Sequence, residues 1–188
     1  MTLEEVVRSI IPADQNAAAQ AKARWDSIAK PLGSLGALES AVIRMAAITG
    51  TPNVDISRRA VVVMCADNGV VADGVTQTGQ EVTAIVAENM STGDTSVCAM
   101  GRAAGVEIVP VDIGVATPLH GERILQRNIR RGTANLSQGP AMTREEAERA
   151  VLVGVEVARE LCDGGVKLLG TGEMGIGNTT TSSAVAAV

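Results

Sequence analysis

Residues 166–181 read Val166-Lys167-Leu168-Leu169-Gly170-Thr171-Gly172-Glu173-Met174-Gly175-Ile176-Gly177-Asn178-Thr179-Thr180-Thr181. Val166 to Leu169 has the pattern of a short buried strand, and Ser182 to Val188 is small, apolar and compatible with a helix. Between them stand Gly170, Gly172, Gly175 and Gly177. Glycine lets the main chain approach a ligand closely and take φ > 0. A helix start adds unpaired N–H groups and the positive end of the dipole, which together favour an anion such as a phosphate. Asn178 or Thr179 is the expected N-cap. Glu173 is the exception, a carboxylate in the middle of an anion-friendly loop. It repels a phosphate there, so it is expected to face another part of a ligand or to act in chemistry. Gly170-Thr-Gly172-Glu-Met-Gly175 satisfies G-x-G-x-x-G after a strand, but the chain stops before the acidic residue that completes a dinucleotide fingerprint. No Gly-Lys-Ser/Thr follows, so the loop is not a Walker A sequence. Taken alone, it leaves open a phosphate or nucleotide site and a plain glycine-rich turn.

Working outward, the segment before the loop is an amphipathic helix. Thr143-Arg-Glu-Glu146 forms a capping box, the helix runs to about Cys162, and Gly164-Gly165 closes it. Farther upstream, Ala60 to Ala66 and Val106 to Val111 are continuous apolar runs, as expected of strands buried on both faces. Each is followed by an acidic residue, Asp67 or Asp112, before a turn. In open α/β sheets that end of a strand is where ligands bind, although either aspartate also suits a turn cap. Helices are expected from Glu81 to Met90 and from there, after a break at 91–95, to Ala104. The alternation predicts an α/β, Rossmann-like fold: a parallel sheet with helices on both faces. Residues 115–142 lack periodicity and hold His120 and the basic run Arg127-Asn-Ile-Arg130-Arg131. His120 reads as a surface residue, and Arg130 and Arg131 as a solvated face or a phosphate partner. The first fifty residues read as a helical arm, with helices at 2–11 and 13–30 divided by Pro12 and a third at 37–49. The expected organisation is therefore a helical segment at 1–50 and an α/β unit at 51–188.

Composition narrows the function. The 188 residues carry a net charge of −5 and contain one Trp, no Tyr and no Phe. Few aromatics and a negative balance argue against base stacking and against a phosphate-backbone footprint, hence against nucleic acid. Three widely spaced cysteines without paired histidines indicate neither a zinc site nor a disulfide framework, and fit a cytoplasmic protein. No signal peptide and no membrane-length apolar run is evident.

Six motifs carry a resemblance. Lys30-Pro-Leu-Gly-Ser-Leu-Gly36, Met64-Cys-Ala-Asp67, Gln80-Glu-Val-Thr83, Asp112-Ile-Gly114, Gly139-Pro-Ala-Met-Thr143 and Gly170-Thr-Gly-Glu-Met-Gly-Ile-Gly-Asn-Thr-Thr180 occur in this order. On them the chain resembles the nicotinate-nucleotide–dimethylbenzimidazole phosphoribosyltransferase family, over essentially its whole length. The resemblance implies transfer of 5-phosphoribose from nicotinate mononucleotide to a benzimidazole, in the assembly of the lower ligand of cobalamin. It implies small-molecule substrates, a homodimer, and no cofactor, metal, nucleic acid or membrane. By similarity Gly172, Gly175, Ile176, Gly177, Asn178, Thr179 and Thr180 line the phosphate and ribose, and Glu173 is a candidate catalytic group beside the ribose. Asp67, Thr76, Thr78 and Gln80 are placed near the base. Family chains are nearly twice as long, and the carboxylate usually assigned as general base lies beyond Val188, so residues 51–188 are expected to be an incomplete phosphoribosyl-binding domain in an N-terminal portion of the family chain. Asn68 stands where many members have His, and Thr78-Gly79 where many have Ser-Pro, which leaves the accepted base open. A truncated relative that binds nucleotide without catalysis, or serves as a subunit of a larger assembly, is the alternative.

Overall fold

Three helices occupy Met1–Ile56, the first of two compact units into which the computed structural model of residues 1–188 divides. Helix α1 (Leu3–Arg8) opens with a capping box between Thr2 and Glu5, and α2 (Gln15–Ser27) opens where the Asp14 carboxylate accepts the Asn16 and Ala17 N–H groups. Both end earlier than the spacing suggests. The residue before a proline avoids the helical region, so the chain unwinds ahead of Lys30-Pro31, and Ile28 is already extended. Helix α3 (Ala37–Thr49) stops at Gly50, whose φ of 66° is the left-handed cap that favours glycine. Small side chains let α2 and α3 approach closely, burying Ala17 and Ala21 of one and Ala46 and Ala47 of the other. Beside them the Lys30 ammonium sits 2.8 Å from the Glu39 carboxylate and 5.5 Å from the centre of the half-buried Trp25 ring.

The second unit, Ser57–Val188, is the α/β body. Its elements are β1 (Arg59–Ala66), a 3-10 turn at Gly69–Asp73, α4 (Glu81–Thr92), α5 (Ser96–Ala104), β2 (Glu107–Gly114), β3 (Leu125–Gln126), α6 (Arg144–Asp163), β4 (Leu168–Met174) and α7 (Asn178–Ala186). The four strands are all parallel, in the order β3-β2-β1-β4. Successive side chains of a strand point to opposite faces, and β1 uses both. Ala60, Val62 and Met64 meet Val153, Val157 and Leu161 of α6, while Val61, Val63 and Cys65 meet Ala87 and Met90 of α4 and Cys98 of α5. That double burial is why the β1 sequence is apolar without alternation. The fold is α/β, with helices on both faces of the sheet.

Three local expectations are corrected. Strand β4 does not end at Leu169; it continues to Met174, with Gly170, Gly172 and Glu173 paired to Val61, Val63 and Met64 of β1. A Cβ added to Gly170 would stand 3.0 Å from Val61 Cγ2, and one on Gly172 3.3 Å from Val63 Cγ2. Those two glycines are therefore strand residues that accommodate the neighbouring valines rather than loop residues. The N-cap of α7 is Gly177, at φ 84°, rather than Asn178 or Thr179. The left-handed backbone there is open to glycine at little cost, and the Asn178 side chain is turned to Glu173 instead. Strand β2 likewise runs past Val111 to Gly114, carrying the buried Asp112 inside the sheet.

The aperiodic stretch 115–142 contains only the two-residue β3 as regular structure, yet it is tied down along its length. Each arginine of its basic run meets a carboxylate: Arg127 meets Glu160, Arg130 meets Glu146, and Arg131 meets Asp112 at 3.2 Å. A bare solvated face does not describe them.

Candidate active site

The carboxyl ends of β1, β2 and β4 bring together three turns. After β1 comes Asp67-Asn68-Gly69, after β2 Val115-Ala116, and after β4 Gly175-Ile176-Gly177. Such a convergence follows from parallel strands, which all deliver their following loops to the same edge of the sheet. The amino end of α4 lies against two of these turns through Thr83, which is fully buried.

Asp67 is 2% exposed. Its Oδ2 accepts the Ala116 N–H at 2.8 Å, and its main chain joins Gly114 and Thr133. The Thr83 hydroxyl interacts with the carboxyl group, whose Oδ1 has no hydrogen bond of ordinary geometry. Burial holds the Asp67 carboxyl above its usual range, the Ala116 N–H and Thr83 oppose this, and the charge of Asp112 adds to it. Asp112 is satisfied in its own right, by the Val115 N–H at 2.9 Å, Asn128 Nδ2 at 2.7 Å and Arg131. It acts as the brace of the turn after β2.

Glu173 stands at the end of β4 with its side chain exposed. The surrounding protein strips enough water to push its carboxyl upward, while the Asn178 side-chain amide donates to Oε2 and pulls it back. Gly175 follows, buried and without space for a side chain. A Cβ there would overlap the Ala66 carbonyl oxygen and lie 2.6 Å from Glu173 Oε1 and 2.9 Å from Asn68 Nδ2. Gly177 is excluded from substitution twice, by its positive φ and by Val71 Cγ2 at 2.9 Å. Gly172 is a β4 residue beneath the turn. Ile176, Asn178 and Thr180 are half-buried and Thr179 is exposed, so the first turn of α7 is accessible from solvent. No side chain caps that turn. The Asn178 and Thr180 N–H groups donate to the Gly175 and Gly177 carbonyls, which leaves the Thr179 N–H and the dipole of α7 for an anion.

Thr76, Thr78 and Gln80 occupy the segment before α4. The Thr76 hydroxyl donates to the Thr78 carbonyl at 2.8 Å, Thr78 is exposed, and Gln80 immediately precedes the helix. They precede α4, whose Thr83 reaches the turn after β4. His120 is exposed, and its main-chain N–H donates to Glu88. No group of three or more His, Cys, Asp or Glu side chains is arranged to hold a metal ion. No helix is long and apolar enough to cross a membrane.

Three residues, Asn68, Thr83 and Thr133, shape the site through partners that the chain does not reveal. Asn68 Nδ2 donates to the Ile176 carbonyl at 3.0 Å, and its Oδ1 is 3.1 Å from the Thr181 hydroxyl. Thr83 accepts the Ile176 N–H at 3.1 Å, and Thr133 accepts the Gly69 N–H at 3.0 Å. The motif Gln80-Glu-Val-Thr83 contains one of them, but spacing alone assigns it no partner 93 residues away.

The chain is similar over its length to known proteins. A family model described as "Phosphoribosyltransferase" matches residues 10–188. The nicotinate-nucleotide–dimethylbenzimidazole phosphoribosyltransferase of Clostridium acetobutylicum is 45% identical over 188 residues, which is 100% of this chain and 53% of that protein. The protein of the same name from Ruminiclostridium cellulolyticum is 46% identical, with the same coverage. A crystal structure of the enzyme so named from Thermus thermophilus superposes with a TM-score of 0.87 at 45% identity, over 93% of this chain and 53% of that one. The chain thus spans about half the length of the curated relatives it matches.

Proposed function

The chain belongs to the phosphoribosyltransferase family whose model covers residues 10–188, and on that premise we propose that it forms the N-terminal portion of an enzyme of cobalamin lower-ligand assembly. The reaction is transfer of 5-phosphoribose from nicotinate mononucleotide to 5,6-dimethylbenzimidazole or a related base, giving the α-riboside 5′-phosphate and nicotinate. The observation that carries this reading is the turn Gly175-Ile176-Gly177, which has no room for side chains at Gly175 and Gly177 and leads into a helix start with no side-chain cap. In it, Gly175, Ile176, Gly177, Asn178, Thr179 and Thr180 surround the 5′-phosphate, the Ile176, Asn178 and Thr180 N–H groups being held within the protein and the Thr179 N–H at the start of α7 free to donate.

Chemistry assigns the neighbours. Nicotinate leaves from a pyridinium and needs little acid help, so the charge to be stabilised is the oxocarbenium developing on the ribose. Glu173, two residues before Gly175, is a carboxylate suited to face that charge from the ribose side. Asp67, buried beneath, and the Thr76–Gln80 segment line the base side. The incoming benzimidazole sheds its ring N–H proton, which a carboxylate accepts. By family resemblance that group lies beyond Val188. Residues 51–188 then constitute the phosphoribosyl-binding domain in part, and 1–50 a helical arm. A cytoplasmic homodimer is the working state that goes with this reading.

A proton NMR time course with nicotinate mononucleotide and dimethylbenzimidazole tests it. Free nicotinate appearing together with the new riboside supports transfer, and broadened mononucleotide resonances without turnover support the binding half alone. Mononucleotide resonances that neither broaden nor decay contradict the reading.

A further inference from the structure

Ile176 sits at the middle of the turn between Gly175 and Gly177, and both hydrogen-bonding groups of its main chain are held from outside. Its N–H donates to Thr83 Oγ1 at 3.1 Å, from the first turn of α4. Its carbonyl accepts Asn68 Nδ2 at 3.0 Å, from the turn after β1. Donation to a carbonyl fixes which end of the Asn68 amide is nitrogen, and so Oδ1 faces the Thr181 hydroxyl at 3.1 Å. That hydroxyl also lies 2.9 Å from the Asn178 carbonyl, so Asn68 reaches past the turn into the helix it launches. Two side chains, distant in sequence, therefore set the orientation of a turn whose glycines impose none of their own.

We infer that Asn68 and Thr83 are positioning residues: they hold the Ile176 peptide so that the start of α7 is aimed at the phosphate before the ligand arrives. This rests on the phosphate-binding reading given above and extends it to residues that touch no reacting atom. Four of the turn's contacts serve the same end. Gly175 closes onto Ala66 and Asn68, and Gly177 closes onto Val71 and Asn68. A turn rich in glycine loses much conformational freedom when it becomes ordered, and ordering it in advance removes that cost from binding. Thr83 is 0% exposed, so water cannot replace it as acceptor for the Ile176 N–H.

The test uses Thr83→Val, which keeps the shape and removes the acceptor, Thr83→Ser, which restores it, and Asn68→Asp, which cannot donate to the Ile176 carbonyl. Amide hydrogen exchange is followed by NMR on the ligand-free chain, with nicotinate mononucleotide and its dephosphorylated riboside titrated in parallel. The inference expects Ile176 exchange in Thr83→Val to rise about tenfold while the Val109 and Val111 amides of β2 stay unchanged, with wild-type exchange in Thr83→Ser. It expects the mononucleotide dissociation constant to weaken by a similar factor in Thr83→Val and Asn68→Asp, with no matching change for the riboside. Unchanged Ile176 exchange, or a rise shared equally by β2, overturns it. So does a mononucleotide affinity equal to wild type in both variants. A wild-type chain that ignores the mononucleotide contradicts the proposed function instead, and the exchange measurement on the free chain still decides whether the two residues hold the turn.

Discussion

Gly175 and Ala66 are in direct main-chain contact: a methyl group added at Gly175 would occupy the space of the Ala66 carbonyl oxygen. That oxygen belongs to the end of β1, the strand buried on both faces, and has nowhere to retreat. The turn after the edge strand β4 is thereby pressed onto the turn after the interior strand β1.

Gly175→Ala is accordingly expected to act on stability and on binding together. Overpacking against a fixed backbone costs about 1–3 kcal/mol, read as a lower urea midpoint, and nicotinate mononucleotide binding is lost. Retained affinity at unchanged stability would mean that the turn is free to move.

Glu173 carries a pH signature. Burial raises its folded-state pKa above the ordinary 4.5, against the opposing hydrogen bond from Asn178. A carboxyl group whose folded pKa is raised binds its proton more tightly when folded. Its contribution to stability is complete below 4.5 and is lost as pH rises through the folded value. Glu173→Gln is expected to remove that slope and to leave the chain no less stable at neutral pH. A carboxyl carbon titration of Glu173 with its midpoint at or below 4.5 would contradict the assignment.

The three arginines of 127–131 are expected to differ according to the carboxylates they meet. Arg131→Met strips a charge partner from Asp112, which is 0% exposed, and is expected to cost about 1–3 kcal/mol. Arg127→Ala breaks a pair whose side chains are 34% and 52% exposed, and is expected to cost at most about 1 kcal/mol. Urea denaturation of the two variants separates them, and equal losses would refute the distinction.

Thiol labelling gives a check on the sheet itself. Cys162 is exposed on α6, whereas Cys65 and Cys98 are buried, and burial pushes the Cys65 thiol up to about 12. A thiol reacts as thiolate, so iodoacetamide at about pH 8 is expected to add one group to the native chain, at Cys162. Adducts at Cys65 by mass spectrometry would show that the α4 and α5 face is open.

Much of this architecture is legible in the chain. The apolar run at Ala60–Ala66, the capping box at Thr143–Glu146 and the Gly164-Gly165 stop each express a local rule, and each stands where the rule puts it. The end of β4 is not legible in this way. Gly170 and Gly172 look like loop residues, and only their register with Val61 and Val63 explains them as strand residues. The basic run is equally opaque, because the carboxylates that meet it come from β2 and α6, 16 to 33 residues away. At the site, Glu173 and the glycines stand out in sequence. Asn68 and Thr83 do not, since their role lies entirely in a partner brought near by the parallel sheet.

The most direct measurement is an amide-resolved NMR titration of the wild-type chain with nicotinate mononucleotide. The largest shifts are predicted at Gly175 through Thr180, weaker ones at Glu173, and none in the helices of residues 3–49. Shifts centred elsewhere, with the Gly175–Thr180 amides unmoved at saturation, would contradict the claim that this turn is where the phosphate binds.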